Sequence, residues 1–182
     1  FLTSTSLGAV SFLLPVYAEE LGATYIQLGI MGAAGSVAYT VMTLVSGVLL
    51  DRFNRVRLYI VFCALMATVV LIFYLATGVN DIILLKGLIG GVSATFWVTS
   101  STLTADISPP EALTRSIGGY NLAWILGFIV GPFSGGLVSD ALGFPALFVV
   151  FSALAASSVF IVRLKLFSVK LGERHPKKGS DL

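Results

Sequence analysis

Long apolar runs separated by short polar breaks dominate the hydropathy pattern of this chain. A membrane-spanning helix needs about 20 consecutive, mostly apolar residues. Six stretches approach or exceed that length, at roughly residues 1–18, 26–50, 58–77, 82–104, 117–139 and 145–164. The pattern predicts an all-α, polytopic membrane protein whose six transmembrane helices form one bundle over residues 1–164. Residues 165–182 are polar and basic, and we expect them to form a cytoplasmic tail or the start of a linker to a further part of the protein.

The composition supports a protein that is embedded in a lipid bilayer. Of the 182 residues, 57% are hydrophobic and 11% are charged, whereas soluble domains carry about 25% charged residues. The net charge of +2 is too small to indicate a nucleic-acid partner. Cys63 and His175 are the sole residues of their types, so the sequence offers no disulfide framework and no cluster of metal ligands. We therefore expect no metal, no cofactor and no enzymatic activity.

The basic residues predict the orientation of the helices. With six spans, ten of the eleven Lys and Arg residues fall on one side of the membrane, and the exception is Lys86. Because cytoplasmic loops are enriched in Lys and Arg, we assign this side to the cytoplasm, with both termini inside and the plasma membrane as the location.

The chain begins at Phe1, inside an apolar run without a basic flank, so we expect a fragment with a trimmed start and not a signal peptide.

The two halves of the chain share a short pattern of glycine, two aliphatic residues and aspartate. Gly47 and Asp51 end the second span, and Gly136 and Asp140 end the fifth, at an offset of 89 residues (140 − 51). One copy lies on the predicted cytoplasmic side and the other outside. Inverted three-helix repeats are a known construction of secondary transporters, and we predict two such repeats here.

Small residues recur at helical spacing in the second and fifth spans. In the second they are Gly32, Ser36, Thr40, Thr43 and Gly47, and in the fifth Gly127, Gly131, Pro132, Gly135 and Gly136. Small residues on one face let two helices approach closely in lipid. Two interpretations remain open, which are plain helix packing and a sliding contact between two units that rock against each other.

Several polar and aromatic residues lie inside the apolar spans. Lys86, Ser93 and Trp97 share one face of the fourth span. Lys86 either extends to water at the membrane surface or faces a cavity, where it would meet an anionic substrate group or take part in proton coupling. Tyr39, Asn121 and Trp124 are further candidates, either for contact with substrate or for bonding between helices. No aspartate or glutamate lies deep within a predicted span.

Three motifs resemble the major facilitator superfamily of transporters, and most closely its branch of proton-coupled antiporters and multidrug exporters. The signature loop after the second span is matched by Gly47, Asp51, Arg52 and Arg55. Asn54 stands where the family has a glycine, which is a mild change because asparagine also tolerates positive φ. The glycines and proline of the fifth span resemble the antiporter motif. The loop from Asp106 through Pro109, Pro110 and Glu111 to Arg115 is similar to the family's loop between spans four and five.

The resemblance implies that this chain is the amino-terminal half of a twelve-helix transporter, with a second six-helix half in the same polypeptide or in a partner chain. It also implies a cytoplasmic latch, formed by Gly47, Asp51, Arg52, Arg55, Asp106 and Arg115. In this latch Asp51 would face the start of a helix in the other half, and Arg52 or Arg55 would pair with Asp106. Alternatively, these charges set the membrane topology alone.

The combined prediction is a secondary active transporter that moves a small-molecule substrate by alternating access, coupled to an ion gradient such as protons. An uncoupled facilitator of the same fold and a non-transporting membrane scaffold or receptor are the alternatives. A membrane-embedded enzyme fits less well, because most such enzymes need an inward-facing cluster of His, Asp, Glu or Cys.

Overall fold

The computed structural model describes residues 1–166, and helices account for nearly all of them. The α-helices are α1 (Leu2–Glu20), α2 (Tyr25–Arg52), α3 (Arg55–Ile72), α4 (Val79–Ile107) and α5 (Leu113–Leu166). Short 3-10 helices follow α3 at Phe73–Leu75 and precede α5 at Pro110–Ala112. No strand occurs in this part of the chain, so the all-α prediction is confirmed. Most of the predicted tail, residues 167–182, lies outside the described residues.

The long helix α5 contains both the fifth and the sixth predicted spans. It is interrupted at Gly143, whose φ of 82° and ψ of 168° are not helical. We call residues 113–142 the first arm and residues 144–166 the second arm. The sequence predicted a polar break over residues 140–144, but the helix continues to 142 and turns at one residue. Glycine adopts positive φ without a steric penalty, and Pro145 is tolerated in the first turn of the second arm, where its missing N–H is not needed.

Four of the helical stretches are long and apolar enough to cross a membrane, namely Tyr25–Arg52, Arg55–Leu75, Val79–Ile107 and Pro110–Arg163. The last of these has 54 residues, and a straight helix of that length would measure about 80 Å. This is more than twice the roughly 30 Å of a hydrocarbon core, so the turn at Gly143 divides α5 into two crossings. Helix α1 is less apolar, because hydroxyl residues fill its first turns from Thr3 to Ser6.

Side-chain caps keep the turns between helices short. Thr24 and Gln27 form a capping box at the start of α2. Asn54 caps α3, where its Oδ1 accepts from the backbone N–H groups of Val56 at 3.0 Å and Arg57 at 3.1 Å. Asn54 has a φ of −65°, so the tolerance of asparagine for positive φ is not used at this position. Asn54 serves as an N-cap, a position at which both asparagine and glycine are favoured.

The helices pair in a pattern that fits two inverted repeats. The first helix of each predicted three-helix repeat packs on the second helix of the other, so α1 contacts the first arm of α5 and α4 contacts α2. The third helices also meet, since Ser152 of the second arm donates to the carbonyl of Ala67 in α3 at 2.8 Å. Phe73 and Phe148 stack there with ring centroids 5.5 Å apart. This exchange of partners agrees with a two-fold relation between residues of the two halves.

Candidate functional site

Two cavities between α1, α2, α4 and the first arm of α5 share the side chains of Tyr39, Trp97 and Phe128 as a common wall. The first, about 380 Å³, is mostly aromatic, and its other lining residues are Val98, Ser101, Tyr120 and Trp124. The second, about 350 Å³, is richer in hydroxyl groups and also contains Lys86. Because three residues line both, the two cavities adjoin, and we describe them as one site with an aromatic end and a polar, charged end.

Lys86 lies in the second turn of α4 and lines the polar end of the site. Its aliphatic stem packs over Gly35 of α2. A Cβ atom added to Gly35 would lie 3.2 Å from Lys86 Cγ and 3.3 Å from Lys86 Cε. The one ion pair among the described residues involves other side chains, so no carboxylate of that region lies within 4 Å of the Lys86 ammonium. Of the two positions that the sequence allowed, the structure shows the one that faces a cavity.

The close contact between α2 and α4 fixes the location of Lys86. A Cβ atom on Gly90 would lie 2.4 Å from the carbonyl oxygen of Gly35, a distance that forces the two backbones apart. These helices are also joined by a hydrogen bond between the Ser46 and Thr95 hydroxyls, which are 2.8 Å apart. The missing side chains at Gly35 and Gly90 therefore let α4 present Lys86 next to α2.

Aromatic rings form the other end of the site. The ring centroids of Trp97 and Trp124 are 5.9 Å apart, and Phe128 lies 5.7 Å from Trp124 and 6.2 Å from Trp97. Trp124 Nε1 donates to Asn121 Oδ1 at 3.2 Å. Asn121 itself is exposed and lines neither of the two cavities. Of the two roles considered for Asn121, the structure shows a hydrogen bond that orients the Trp124 indole, and contact with substrate stays a prediction.

Hydroxyl groups in the polar end bond to their own helices. Ser93 donates to the Gly90 carbonyl at 2.9 Å. Ser36 and Thr40 donate in the same way to the carbonyls four residues earlier, at 3.0 Å and 2.9 Å. A hydroxyl whose proton is used in this way presents lone pairs to the cavity. The ammonium of Lys86 is the one charged donor in this part of the site, where the Ser11 and Tyr39 hydroxyls also lie.

On the predicted cytoplasmic side, Arg55 and Asp106 form an ion pair. Of the two arginines considered from sequence, Arg55 makes this contact. Asp51, Arg52 and Arg115 are exposed, and none has an oppositely charged partner within 4 Å among the described residues. Gly47 faces open space on α2.

The glycines of the fifth span pack inside the bundle. A Cβ atom on Gly131 would lie 2.4 Å from the Thr5 carbonyl oxygen, and one on Gly127 would lie 2.5 Å from Ser4 Cβ. Gly135 likewise approaches Ala9 and Leu13 of α1, and the ring of Pro132 approaches Gly8, whereas Gly136 meets nothing within 4 Å. Of the two interpretations left open by the sequence, these contacts agree with helix packing, because α1 of the same bundle occupies this face.

The small-residue stripe of α2 makes no close contact at its glycines within the described residues. Gly32 and Gly47 have no neighbouring atoms within 4 Å of an added Cβ, and the buried glycine is Gly35, which lies outside the stripe. Tyr120 and Phe128 are two further cavity residues that sequence reasoning missed. Their spacing of four on either side of Trp124 places all three on one helical face, a signal that could have identified them.

Comparison with known proteins assigns the fold to a family. Residues 1–181 match a family model described as Major Facilitator Superfamily. The chain belongs to this superfamily. The superfamily match and the apolar helices establish an integral membrane protein with a transporter fold. Members of the superfamily are generally not enzymes.

Two curated relatives are similar to this chain. An uncharacterized MFS-type transporter of Methanocaldococcus jannaschii, MJ1560, is 25% identical over 177 residues, which are 97% of this chain and 46% of the relative. The quinolone resistance protein NorA of Staphylococcus aureus is 32% identical over 142 residues, which are 77% of this chain and 36% of NorA. The chain therefore spans less than half the length of these relatives.

Proposed function

We propose that the chain forms one six-helix half of a secondary active transporter that moves a small solute by alternating access. The observation that carries this proposal is the pair of adjoining cavities between α1, α2, α4 and α5, which combines aromatic rings, hydroxyls and one cation. Four helices from both repeats contribute to it, so a relative movement of the helices would change its access. A scaffold needs no such site inside its bundle, and a receptor would bind a solute there without moving it across the membrane.

A second six-helix half would complete the transport pathway. The relatives are more than twice as long as the segments that match this chain. Helix α2 presents Gly32 and Gly47 with open space above them, which would let a helix of the other half approach closely. Asp51 is exposed at the end of α2, where its carboxylate would be favourable next to the amino-terminal end of such a helix.

The cytoplasmic latch would govern which side of the site is open. The Arg55 and Asp106 side chains are 33% and 36% exposed, and ion pairs at such exposure contribute about 1 kcal/mol or less. A contact of this strength can form and break within each transport cycle. We propose that it holds the outward-open state and separates when the cytoplasmic side opens, on a plasma-membrane protein with both termini in the cytoplasm.

Proton coupling is our preferred mechanism, and uncoupled facilitation is the second candidate. The carboxylates of the described residues lie near helix ends or in loops, for example Glu20, Asp51, Asp81 and Asp106. Lys86 is the one charged residue among those that line the two cavities. Coupling through this half would therefore involve Lys86, and coupling through a carboxylate would involve the other half. Proteoliposomes with a pH dye inside distinguish the candidates, because only a coupled transporter moves protons together with solute.

Alternating access is tested by the reactivity of one cavity position from both sides of the membrane. Cys63 is fully buried, and its Sγ lies 3.0 Å from Ser158 Oγ. Replacing it by serine puts a hydroxyl in place of the thiol and keeps a hydrogen-bonding group there. On that background, Ser93→Cys should react with an impermeant maleimide added to either side of the membrane. An alternating site should lose reactivity on one side as conditions increase it on the other. Reaction from one side alone under all conditions would exclude the proposed function.

A further inference from the structure

The site combines an unpaired cation with an aromatic surface, and this combination selects a class of ligand. We infer that its substrate is an elongated aromatic carboxylate, with the carboxylate on Lys86 and the rings against the surface formed by Trp97, Trp124 and Phe128. This inference rests on the proposed transport function, since it names what the transporter would carry. It assigns to Lys86 the recognition of substrate charge.

The charge follows from the lining of the cavities. Lys86 carries the sole formal charge among the lining residues, and no carboxylate of the described region lies within 4 Å of it. A half-buried cation without a partner is unfavourable, so an anionic ligand group would be stabilised here and a cationic one repelled. The nearby Ser36, Thr40 and Ser93 hydroxyls spend their protons on backbone carbonyls. The Ser11 and Tyr39 hydroxyls could donate to an anionic or a neutral ligand alike, so the preference for an anion depends on the charge of Lys86.

The length of the ligand follows from the spacing along α4. Lys86 and Trp97 are eleven residues apart on one helix (97 − 86), which corresponds to about 16 Å between their Cα atoms. Both side chains nevertheless line the same cavity. A single-ring acid would reach one end and leave the other empty. A molecule with two linked rings and a terminal carboxylate could contact both ends.

The arrangement of the aromatic side chains in the site favours a ligand with flat aromatic rings. Trp97 and Trp124 are tilted by 59° to each other, and Trp124 and Phe128 are perpendicular. Rings in such an arrangement offer faces and edges from several directions, which suits face-to-edge contact with a further aromatic ring. Asn121 holds the Trp124 indole through its hydrogen bond, so this surface is partly preformed.

The test is equilibrium binding to the purified full-length protein in lipid nanodiscs, without any ion gradient. The probes are tritiated biphenyl-4-carboxylate, the neutral 4-phenylbenzyl alcohol and the cationic 4-phenylbenzylamine. We expect the carboxylate to bind about tenfold more tightly than the alcohol, as for one charge-assisted hydrogen bond, and the amine to bind most weakly. Equal affinity for the three probes, or tighter binding of the amine, would overturn the inference.

Variants separate the charge from the shape. Lys86→Gln should remove the preference for the carboxylate and leave binding of the alcohol within about twofold, whereas Lys86→Arg should retain the preference because arginine keeps the positive charge. Trp97→Ala should weaken all three probes. Arg57→Gln is the matched control, since it removes one exposed positive charge outside the cavities and should change nothing.

Gly35→Ala provides a second variant in case Lys86→Gln does not fold. Its added Cβ would lie 3.2 Å and 3.3 Å from two stem carbons of Lys86 and 3.4 Å from the Lys86 carbonyl oxygen, so it should displace the ammonium and reduce the preference for the carboxylate. A preference unchanged in Lys86→Gln, or in Gly35→Ala if Lys86→Gln does not fold, would overturn the inference. The binding assay tests the substrate class, and labelling of Ser93→Cys tests alternating access. If the site prefers the carboxylate but Ser93→Cys reacts from one side only, the transport proposal fails and the substrate class stands. If Ser93→Cys reacts from both sides but the site shows no preference, the substrate class fails and the transport proposal stands.

Discussion

Arg55 and Asp106 form an ion pair that joins the first turn of α3 to the last turn of α4. The contact brings the loop after α2 together with the loop before α5, which are 51 residues apart in sequence. Both loops carry basic residues that we place on the cytoplasmic side. The pair is thus a contact between the two predicted repeats at the surface where a transporter of this fold would close.

Reversing one charge of this pair should shift the balance of conformations more visibly than it changes stability. An exposed pair contributes up to about 1 kcal/mol, which corresponds to a change of up to about fivefold in a two-state ratio. We expect Asp106→Arg to increase the rate at which Ser93→Cys is modified from the cytoplasmic side. Combining it with Arg55→Asp should restore the original rate. If the double variant reacts like Asp106→Arg alone, the pair has no part in gating.

Gly131→Ala should destabilise the bundle, and Gly136→Ala should not. The Cβ atom of the first variant would meet the Thr5 carbonyl at 2.4 Å and the Ala9 nitrogen at 2.7 Å, which are backbone atoms that cannot rotate away. Overpacking of this kind costs about 1–3 kcal/mol. Gly136 has open space and lies in the same helix. Thermal unfolding in detergent compares the two, and equal melting temperatures would contradict the packing described here.

Gly90→Ala should disturb the polar end of the site through the helix that carries Lys86. Its Cβ would lie 2.4 Å from the Gly35 carbonyl, whereas a Cβ on Gly87 would lie 3.8 Å from the Ala34 carbonyl in ordinary contact. We therefore expect Gly90→Ala to weaken binding of biphenyl-4-carboxylate and to lower the melting temperature. Gly87→Ala serves as the control on the same helix and should change neither measurement appreciably.

Gly143→Ala should strain the turn between the two arms of α5. Its φ of 82° and ψ of 168° lie in a backbone region that is essentially restricted to glycine, where another residue costs about 1–3 kcal/mol. Gly119, in the first arm, is helical and has no atom within 4 Å of an added Cβ, so Gly119→Ala is the control. We predict a lower melting temperature for Gly143→Ala alone. If both variants had the melting temperature of the unsubstituted protein, the turn would not depend on glycine.

Hydropathy located the helices well, because burial in lipid requires long apolar stretches whatever the tertiary packing. It placed their ends less well. Helix α4 begins at Val79 and reaches Ile107, beyond the predicted span 82–104, since polar residues continue a helix once it leaves the hydrocarbon core. The break at 140–144 was overestimated for a different reason, because one glycine with positive φ can turn a chain without a loop.

The site was predictable where one helix carries the pattern and not where two helices meet. Lys86, Ser93 and Trp97 share a face of α4, and the structure places all three on the cavity wall. The role of Gly35 depends on its contact with Gly90 across the helix interface. Periodicity within α2 points to its small-residue stripe and contains no information about which face α4 covers.

The sidedness of the loop between α2 and α3 is the most direct test of the cytoplasmic latch on which the gating mechanism depends. Arg57→Cys and Asn80→Cys lie at opposite ends of the α3 crossing, and both positions are exposed. On the Cys63→Ser background, we predict that an impermeant maleimide modifies Arg57→Cys from the cytoplasmic side only and Asn80→Cys from the external side only. Modification of Arg57→Cys from outside, or of both positions from one side, would contradict a cytoplasmic latch.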